Sequence, residues 1–524
     1  MKFNQYTLPI VALFFVPMFL MAQQKPVLTI TIDAKNTAQT IDNIGASGCW
    51  FSEGIGKYWP IEKRERMAEL LFSKEVAADG AFKGIGLSAW RFNIGAGTAE
   101  QGDSSGIRDF RKRVECFLNP DGTYNWDKQA GYQWFLRKAK DYKVENLIAF
   151  VNSPPVQFTQ NGLGYKTVKD HKANLKPDKY DAYANFLAEV IKHFDQQKLH
   201  FSYISPVNEP QWDWANQPGQ ASQEGSPWSN EEIYRVITAV DASLTKSKLT
   251  TKILTPEAGQ LDYLYGNNTA TSKQIQTLFA AKGAYSFNDL KHVPKIAAGH
   301  SYFTENGDNN LINIRRNLAD TAAKYGVTFW QSEYSMLADG YKEGTKGRRT
   351  QMDCALFLAK VINHDLTVAN AAAWQLWNVW EPGNANFDTR YYVIALKPNA
   401  DYTDGEFTIT KNLWALGNYS RFVRPGMKRL ITTRNDGLSP VQVAQDVMVS
   451  AFAVGKDKLV MVVINYTEEN RLVTPDLKNF KSVKNYRTYT TSANAGDDLK
   501  PSAVINLNGA ISLQPRSITT IVFN

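Results

Sequence analysis

A chain of 524 residues, 43% hydrophobic and 21% charged, has the mass and composition for a large buried core and excludes a disordered or collagen-like polymer. Its net charge of +8 is spread along the sequence. The densest cluster, RDFRKR at 108–113, lacks the repeated basic and aromatic pattern of a nucleic-acid surface and reads as a solvated loop or as a contact for an acidic polysaccharide.

The first element, MKFNQYTLPIVALFFVPMFLMAQQKP, joins a basic residue, Lys2, to an apolar stretch from Leu8 to Met21 and then Ala22. This predicts a signal peptide over 1–22, too short for a membrane span, and an exported protein: secreted, periplasmic or at the cell surface. Next, VLTITIDAK alternates Leu28, Ile30 and Ile32 on one side, predicting a strand within 23–40. From 41 to 420 eight short apolar runs alternate with longer helical patterns. The runs are NIGASGCWF, LSAWRFNIG, NLIAFVNSPP, FSYISPVNEP, KILTPEAG, KIAAGHSYF, VTFWQSEYS and AAAWQLWNVW. The helix predicted over 178–197 repeats Tyr183, Phe186, Leu187, Val190, Ile191 and Phe194 at helical spacing, and Ser229 with Glu232 forms a capping box for the next. Eight such units predict an α/β fold of the closed (β/α)8 kind, a TIM barrel. After Arg421 the pattern turns to strands separated by Gly, Asp and Asn turns, predicting a β-sandwich over 421–524 that the N-terminal strand completes. No low-complexity linker separates the two parts, so they are expected to pack rigidly.

Cys49, Cys116 and Cys354 are an odd count without zinc-site spacing, so at least one is expected free, and nothing in the chain implies a metal or an organic cofactor.

Polar residues gather where the barrel runs end: Asn93, Asn152, Asn208 with Glu209, Glu257, His300 and Glu333. Barrel enzymes carry their chemistry at that face. ISPVNEPQWDW, 204–214, sets Glu209 at the end of the fourth run, between Asn208 and Pro210, and follows it with Trp212 and Trp214. Glu333 ends the seventh run. Two strand-end carboxylates across a barrel mouth suit hydrolysis of a glycosidic bond, one as acid and one as nucleophile, while aromatic rings suit a sugar face. Salt-bridged structural roles, with Arg91 as partner, are the alternative.

Several of these stretches together resemble glycoside hydrolase family 30: SPVNEPQWDW, NSPP at 152–155, WRFNIGAG at 90–97, WQSEYS at 330–335 and ALGNYSRFVRPG at 415–426. The resemblance runs over nearly the whole chain beyond the leader. It implies a clan A retaining hydrolase with Glu209 as acid/base and Glu333 as nucleophile. It further implies that Asn208 bonds the sugar 2-hydroxyl, that Arg91 holds Glu333, that Tyr302 and His300 border the pocket with Asn152, and that Trp377 floors the −1 subsite. The family commonly has Gln after that tryptophan, where this chain has Asn378. WRFNIGAGT, DGTYNWDKQAGYQWFLRKAK and FVNSPPVQFTQNG look most like the endo-β-1,6-galactanase branch, which implies arabinogalactan side chains as substrate. Xylan-active and β-1,6-glucan-active branches share the catalytic core, and a non-catalytic glycan-binding protein is a reading of another class. The expected partner is a polysaccharide or oligosaccharide, bound by a monomer.

Overall fold

The computed structural model describes Met1 and residues 27–78, 80–266, 269–338, 349–481 and 483–524. Apart from Met1, the expected leader lies outside the described residues. No helix among the described residues is long and apolar enough to cross a membrane.

β1 (Leu28–Thr40) leads into the strands β2 (Asn43–Ser47), β3 (Ala89–Asn93), β4 (Asn146–Phe150), β5 (Tyr203–Ser205), β6 (Lys252–Ile253), β7 (Thr255–Ala258), β8 (Ile296–His300), β9 (Thr328–Tyr334) and β10 (Ala373–Trp377). From β2 onward these form one parallel sheet in the order β6-β5-β4-β3-β2-β10-β9-β8-β7. β6 and β7 are consecutive halves of the fifth run, so pairing β6 with β5 and β7 with β8 closes an eight-stranded barrel. All eight predicted runs are barrel strands, and the α/β class with an appended sheet domain is the observed fold. The helix Tyr180–Gln196 buries the six predicted apolar side chains, and Ser229 and Glu232 make a reciprocal capping box at Asn230–Lys246, worth about 1 kcal/mol as caps go.

After the barrel closes, a small sheet of β11 (Trp380–Pro382), β12 (Ile394–Pro398) and β13 (Gly405–Ile409) stands on the mouth side. Sequence periodicity gave no sign of it. Then come β14 (Lys428–Arg434), β15 (Val447–Val454), β16 (Lys458–Asn465), β17 (Arg471–Lys478) and β18 (Asn485–Thr491), with a last strand at Ser517–Phe523. β1 joins them, antiparallel to β14 and parallel to β17. Its alternating Leu28, Ile30 and Ile32 share a separate core with Leu459, Met461, Val463 and Ile521.

The opposite face of those strands belongs to the main core. Met448, Phe452, Val460, Val462, Ile464 and Ile518 cluster with the barrel's apolar residues. Between the two lies the helix Gln351–Thr367, buried from Cys354 to Leu366 on every side, with its buried charges paired, Lys360 to Asp308 and Asp365 to Arg315. The ALGNYSRFVRPG stretch supplies polar contacts here. Arg421 donates to the carbonyls of Ser73, Gly84, Lys74 and Glu75, and lies 3.6 Å from the ring centre of Phe82. Cys49, Cys116 and Cys354 are all free and buried.

Candidate active site

The barrel interior is built in layers. Ala89, Ile148, Tyr203, Ala298, Trp330 and Ala373, one residue from each of six barrel strands, form an apolar plug with Leu254 from the link between β6 and β7. In a strand, residues two apart share a face. The next inward positions toward the mouth are therefore Arg91, Phe150, Ser205, His300, Ser332 and Gln375, a mostly polar and fully buried layer.

Two bulges set carboxylates upon it. Pro256 pairs with Ala298 but Ala258 with Gly299, which leaves Glu257 as the extra residue. Gly299 pairs with Gln331 but His300 with Glu333, which leaves Ser332 extra. A bulge re-aims the side chains that follow it. Glu257 and Glu209 also hold left-handed backbone, φ 55° and 43°, a conformation uncommon outside glycine that gathers at functional sites. The Glu209 N–H donates to the Glu257 carbonyl at 2.9 Å, and the Tyr183 hydroxyl holds the Pro206 carbonyl at 2.8 Å. The segment Pro206–Pro210 is buried throughout, so Glu209 is fixed on both sides.

Arg91 Nη1 donates to Glu333 Oε2 at 2.6 Å, and the Tyr302 hydroxyl to Glu333 Oε1 at 3.0 Å. His300 lies at the centre. Its Nδ1 is 3.0 Å from Glu209 Oε1 and 3.6 Å from Glu333 Oε1, and its Nε2 is 3.3 Å from Glu257 Oε2. One carboxylate oxygen of Glu209, one of Glu333 and a His300 ring nitrogen all fall within 4.8 Å of one another. Those donor types also serve metals, but both ring nitrogens of His300 face carboxylates, a pattern of shared protons rather than of open lone pairs.

Burial would lower the His300 pKa, yet Glu333, Glu209 and Glu257 outweigh it and push it up to about 10. Burial raises Glu209 above its ordinary value, against the His300 contact and with the aid of the Glu333 charge. At Glu257 burial also acts upward, but His300, Arg91 and Ser205 reverse it and hold the carboxyl below its ordinary value.

The cleft above is about 380 Å³ in volume. Glu209, Tyr302, Glu333 and Trp377 line it, while Arg91, Asn152, Asn208 and His300 stand behind them. Asn152 Oδ1 accepts from Asn208 Nδ2 at 3.2 Å. Trp377 meets Trp50 edge-on at 5.1 Å between ring centres. Trp212 is half-buried against Tyr263 and Phe303. Trp214 donates to the Glu209 carbonyl, and Trp380 is core, donating to the Gly48 carbonyl.

Sequence reasoning singled out Glu257 without giving it a role, and missed Trp50 and Glu381. Glu381 comes from β11, lines the cleft, and accepts from Asn378 Nδ2 at 3.0 Å. The 108–113 cluster is only in part the solvated loop it resembled: Arg108 and Phe110 are exposed, whereas Arg111, Lys112 and Arg113 are half-buried. Arg111 ion-pairs with Asp109 and lies over the rings of Tyr402 and Phe51. The Lys112 ammonium stands 4.6 Å from the Trp50 ring centre and lines the cleft. The rings that cover these cations come from segments far away in the chain.

The sequence model of O-glycosyl hydrolase family 30 matches residues 27–389. The chain is 22% identical over 454 residues to glucuronoxylanase XynC of Bacillus subtilis (strain 168), covering 84% of this chain and 88% of that one. A crystal structure of a conserved exported protein from Bacteroides fragilis superposes with a TM-score of 0.87 at 34% identity, over 94% of this chain and all of that one. An endo-β-1,6-glucanase structure superposes with a TM-score of 0.60 at 17% identity, over 94% of each chain.

Proposed function

This chain belongs to O-glycosyl hydrolase family 30, and from that premise we propose that it is a retaining endo-β-1,6-galactanase, cleaving arabinogalactan side chains with Glu333 as nucleophile and Glu209 as acid/base. The observation that carries the retaining chemistry is that one oxygen of Glu209 and one of Glu333 approach within 4.8 Å, with the His300 ring nitrogen between them. Retaining pairs stand about 5–5.5 Å apart, whereas inverting pairs leave about 6.5–9.5 Å for a water.

Glu333 accepts from Arg91 and Tyr302 on its two oxygens, the arrangement of an ionised carboxylate. Its oxygen attacks the anomeric carbon as the bond from that carbon to the leaving oxygen breaks. The Glu209 proton moves to the leaving oxygen, and a glycosyl ester forms on Glu333. Glu209, now ionised, takes a proton from water. The hydroxide attacks the anomeric carbon and releases Glu333.

The protonation this requires follows from charge. Three carboxyls, Glu209, Glu257 and Glu333, face two cations, Arg91 and His300, so one proton remains to be shared. Glu209, whose pKa is raised by burial and lies beside Glu333, is the place for it. Glu257 then acts at one remove, by keeping His300 charged and aimed between the two reacting carboxylates. The stability linked to the His300 proton is fully present below its ordinary value of 6.5 and is lost as pH rises through about 10. In Glu257→Gln the folded-state value moves back toward 6.5, so less stability is linked to the His300 proton and its loss is complete at a lower pH, while misplacement of His300 lowers kcat by about 100-fold. Thermal midpoints measured from pH 6 to 10 check this. Curves that overlay for the two proteins would refute it.

For the substrate, the stretches resembling the galactanase branch run from Trp90 to Gly162. Galactose, with its axial O4, turns a patch of C–H bonds toward an aromatic floor such as Trp377. Asn208 and Asn152 supply the polar side. Burial leaves Asn208 Oδ1 and Asn152 Nδ2 without hydrogen-bond partners in the protein, and a sugar hydroxyl would satisfy them. The likeness to a conserved exported protein supports action outside the cytoplasm; action as a monomer is part of the same proposal. Lys112 in the cleft favours a second reading, hydrolysis of a xylan bearing uronates. Product chromatography on de-arabinosylated arabinogalactan, glucuronoxylan and β-1,6-glucan separates them. Galacto-oligosaccharides are expected; oligosaccharides from xylan or glucan with none from galactan would overturn the substrate reading.

A further inference from the structure

A second cavity, about 270 Å³ in volume, lies beside the catalytic cleft. Trp50 lines both. Its other walls include Phe51, Trp59, Tyr132 and Tyr402, and the exposed rings of Tyr58 and Phe110 mark its opening. Aromatic walls of this extent suit the C–H faces of one sugar ring.

Two polar atoms among these walls are buried and lack a hydrogen-bond partner: the indole Nε1 of Trp50, a donor, and Oε1 of Glu53, an acceptor. Glu53 Oε2 is used, capping the helix Ala130–Asp141 through the N–H of Gly131. Burial, with the neighbouring charge of Glu115, pushes the Glu53 carboxyl up to about 7. The cations along the cavity are already engaged. Arg111 pairs with Asp109, Arg113 with Asp103 and the Ile107 carbonyl, and Lys57 faces Glu53 Oε1 itself at 3.9 Å, an ion-pair approach outside hydrogen-bond reach that leaves this oxygen able to accept. Aromatic faces, one donor, one acceptor and no uncommitted cation describe a neutral polyol, and argue against a uronate or a phosphate.

We propose that this cavity binds a neutral one-sugar branch of the glycan whose main chain occupies the catalytic cleft. The inference rests on the glycosidase reading of the cleft, because Trp50 ties the two cavities together only if a glycan lies in the first.

Gly54 offers a clean test. It lines the cavity on the short helix Ser52–Tyr58, and a Cβ there would meet only the Tyr402 carbonyl, at an ordinary 3.6 Å. Gly54→Leu should therefore fill the cavity without disturbing the fold. The substrates are linear β-1,6-galacto-oligosaccharides and the same backbone bearing single arabinofuranosyl branches. If the substrate panel shows another backbone, its linear and singly branched forms replace them. In Gly54→Leu, kcat/KM on the branched form should fall about tenfold while that on the linear form stays within about twofold. Phe110→Ser, at an exposed position whose ring meets Tyr402 edge-on, should lower the branched form alone by a smaller factor. An unchanged ratio of branched to linear activity in both variants would overturn the proposal. An equal fall on both substrates would also overturn it, by making the cavity a main-chain subsite. Failure of the galactanase reading shows differently, as no cleavage of linear galactan by the wild-type enzyme.

Discussion

Glu333→Gln is expected to lower kcat by about 10⁴–10⁶-fold, the range seen when a covalent nucleophile is removed. An amide oxygen does not form the glycosyl ester, and no neighbour replaces the lost carboxylate. Glu209 lines the same cleft as the proposed acid partner, and Glu257 is fully buried beside His300. The fold should survive. Arg91 loses the charge of its 2.6 Å partner, though the amide oxygen can still accept from it, and it keeps Glu257 at 3.8 Å and the Phe150 ring at 4.2 Å. Circular dichroism and retained binding of an oligosaccharide distinguish lost chemistry from lost structure. A folded variant with near-wild-type turnover would remove Glu333 from its proposed role.

Glu209→Gln should separate two kinds of substrate. On a polysaccharide, whose leaving alkoxide needs a proton, kcat/KM should fall by about 10²–10⁴-fold, the usual contribution of a positioned general acid. On an aryl glycoside with an acidic phenol as leaving group, the first step should proceed nearly as in the wild type. The glycosyl-enzyme should then accumulate, because no base activates water. A burst of phenol equal to the enzyme concentration, followed by slow turnover, is the expected trace. Equal losses on both substrates would mean that Glu209 serves binding or structure instead. His300 enters here too, since its Nδ1 touches both reacting carboxylates.

Much of this architecture was legible in the sequence because it depends on local pattern. The eight runs alternate with amphipathic helices, and a parallel strand buried on both faces must be apolar along its length. The strand-end residues Asn208, Glu209, His300 and Glu333 stood out because polar groups that end such runs face the barrel mouth. What could not be read was set by pairing at a distance. The slips that leave Glu257 and Ser332 unpaired arise from register against β8, and no residue type announces them. Nor does composition tell that Arg111 will lie between Phe51 and Tyr402, which are hundreds of residues apart in the chain. The strand β11, which carries Glu381 to the cleft, is three residues long, too short for periodicity to reveal.

The measurement that bears most directly on the central claim is the anomeric form of the first product. Hydrolysis followed by proton NMR from the first minutes, before mutarotation, reports whether the configuration is kept. Carboxylate oxygens within 4.8 Å of each other and the proposed covalent intermediate on Glu333 imply two inversions, so the β anomer should appear first and the α form should grow in only later. An α anomer formed first would mean a single displacement by water, and would contradict both the nucleophilic role of Glu333 and the reading of the carboxylate separation.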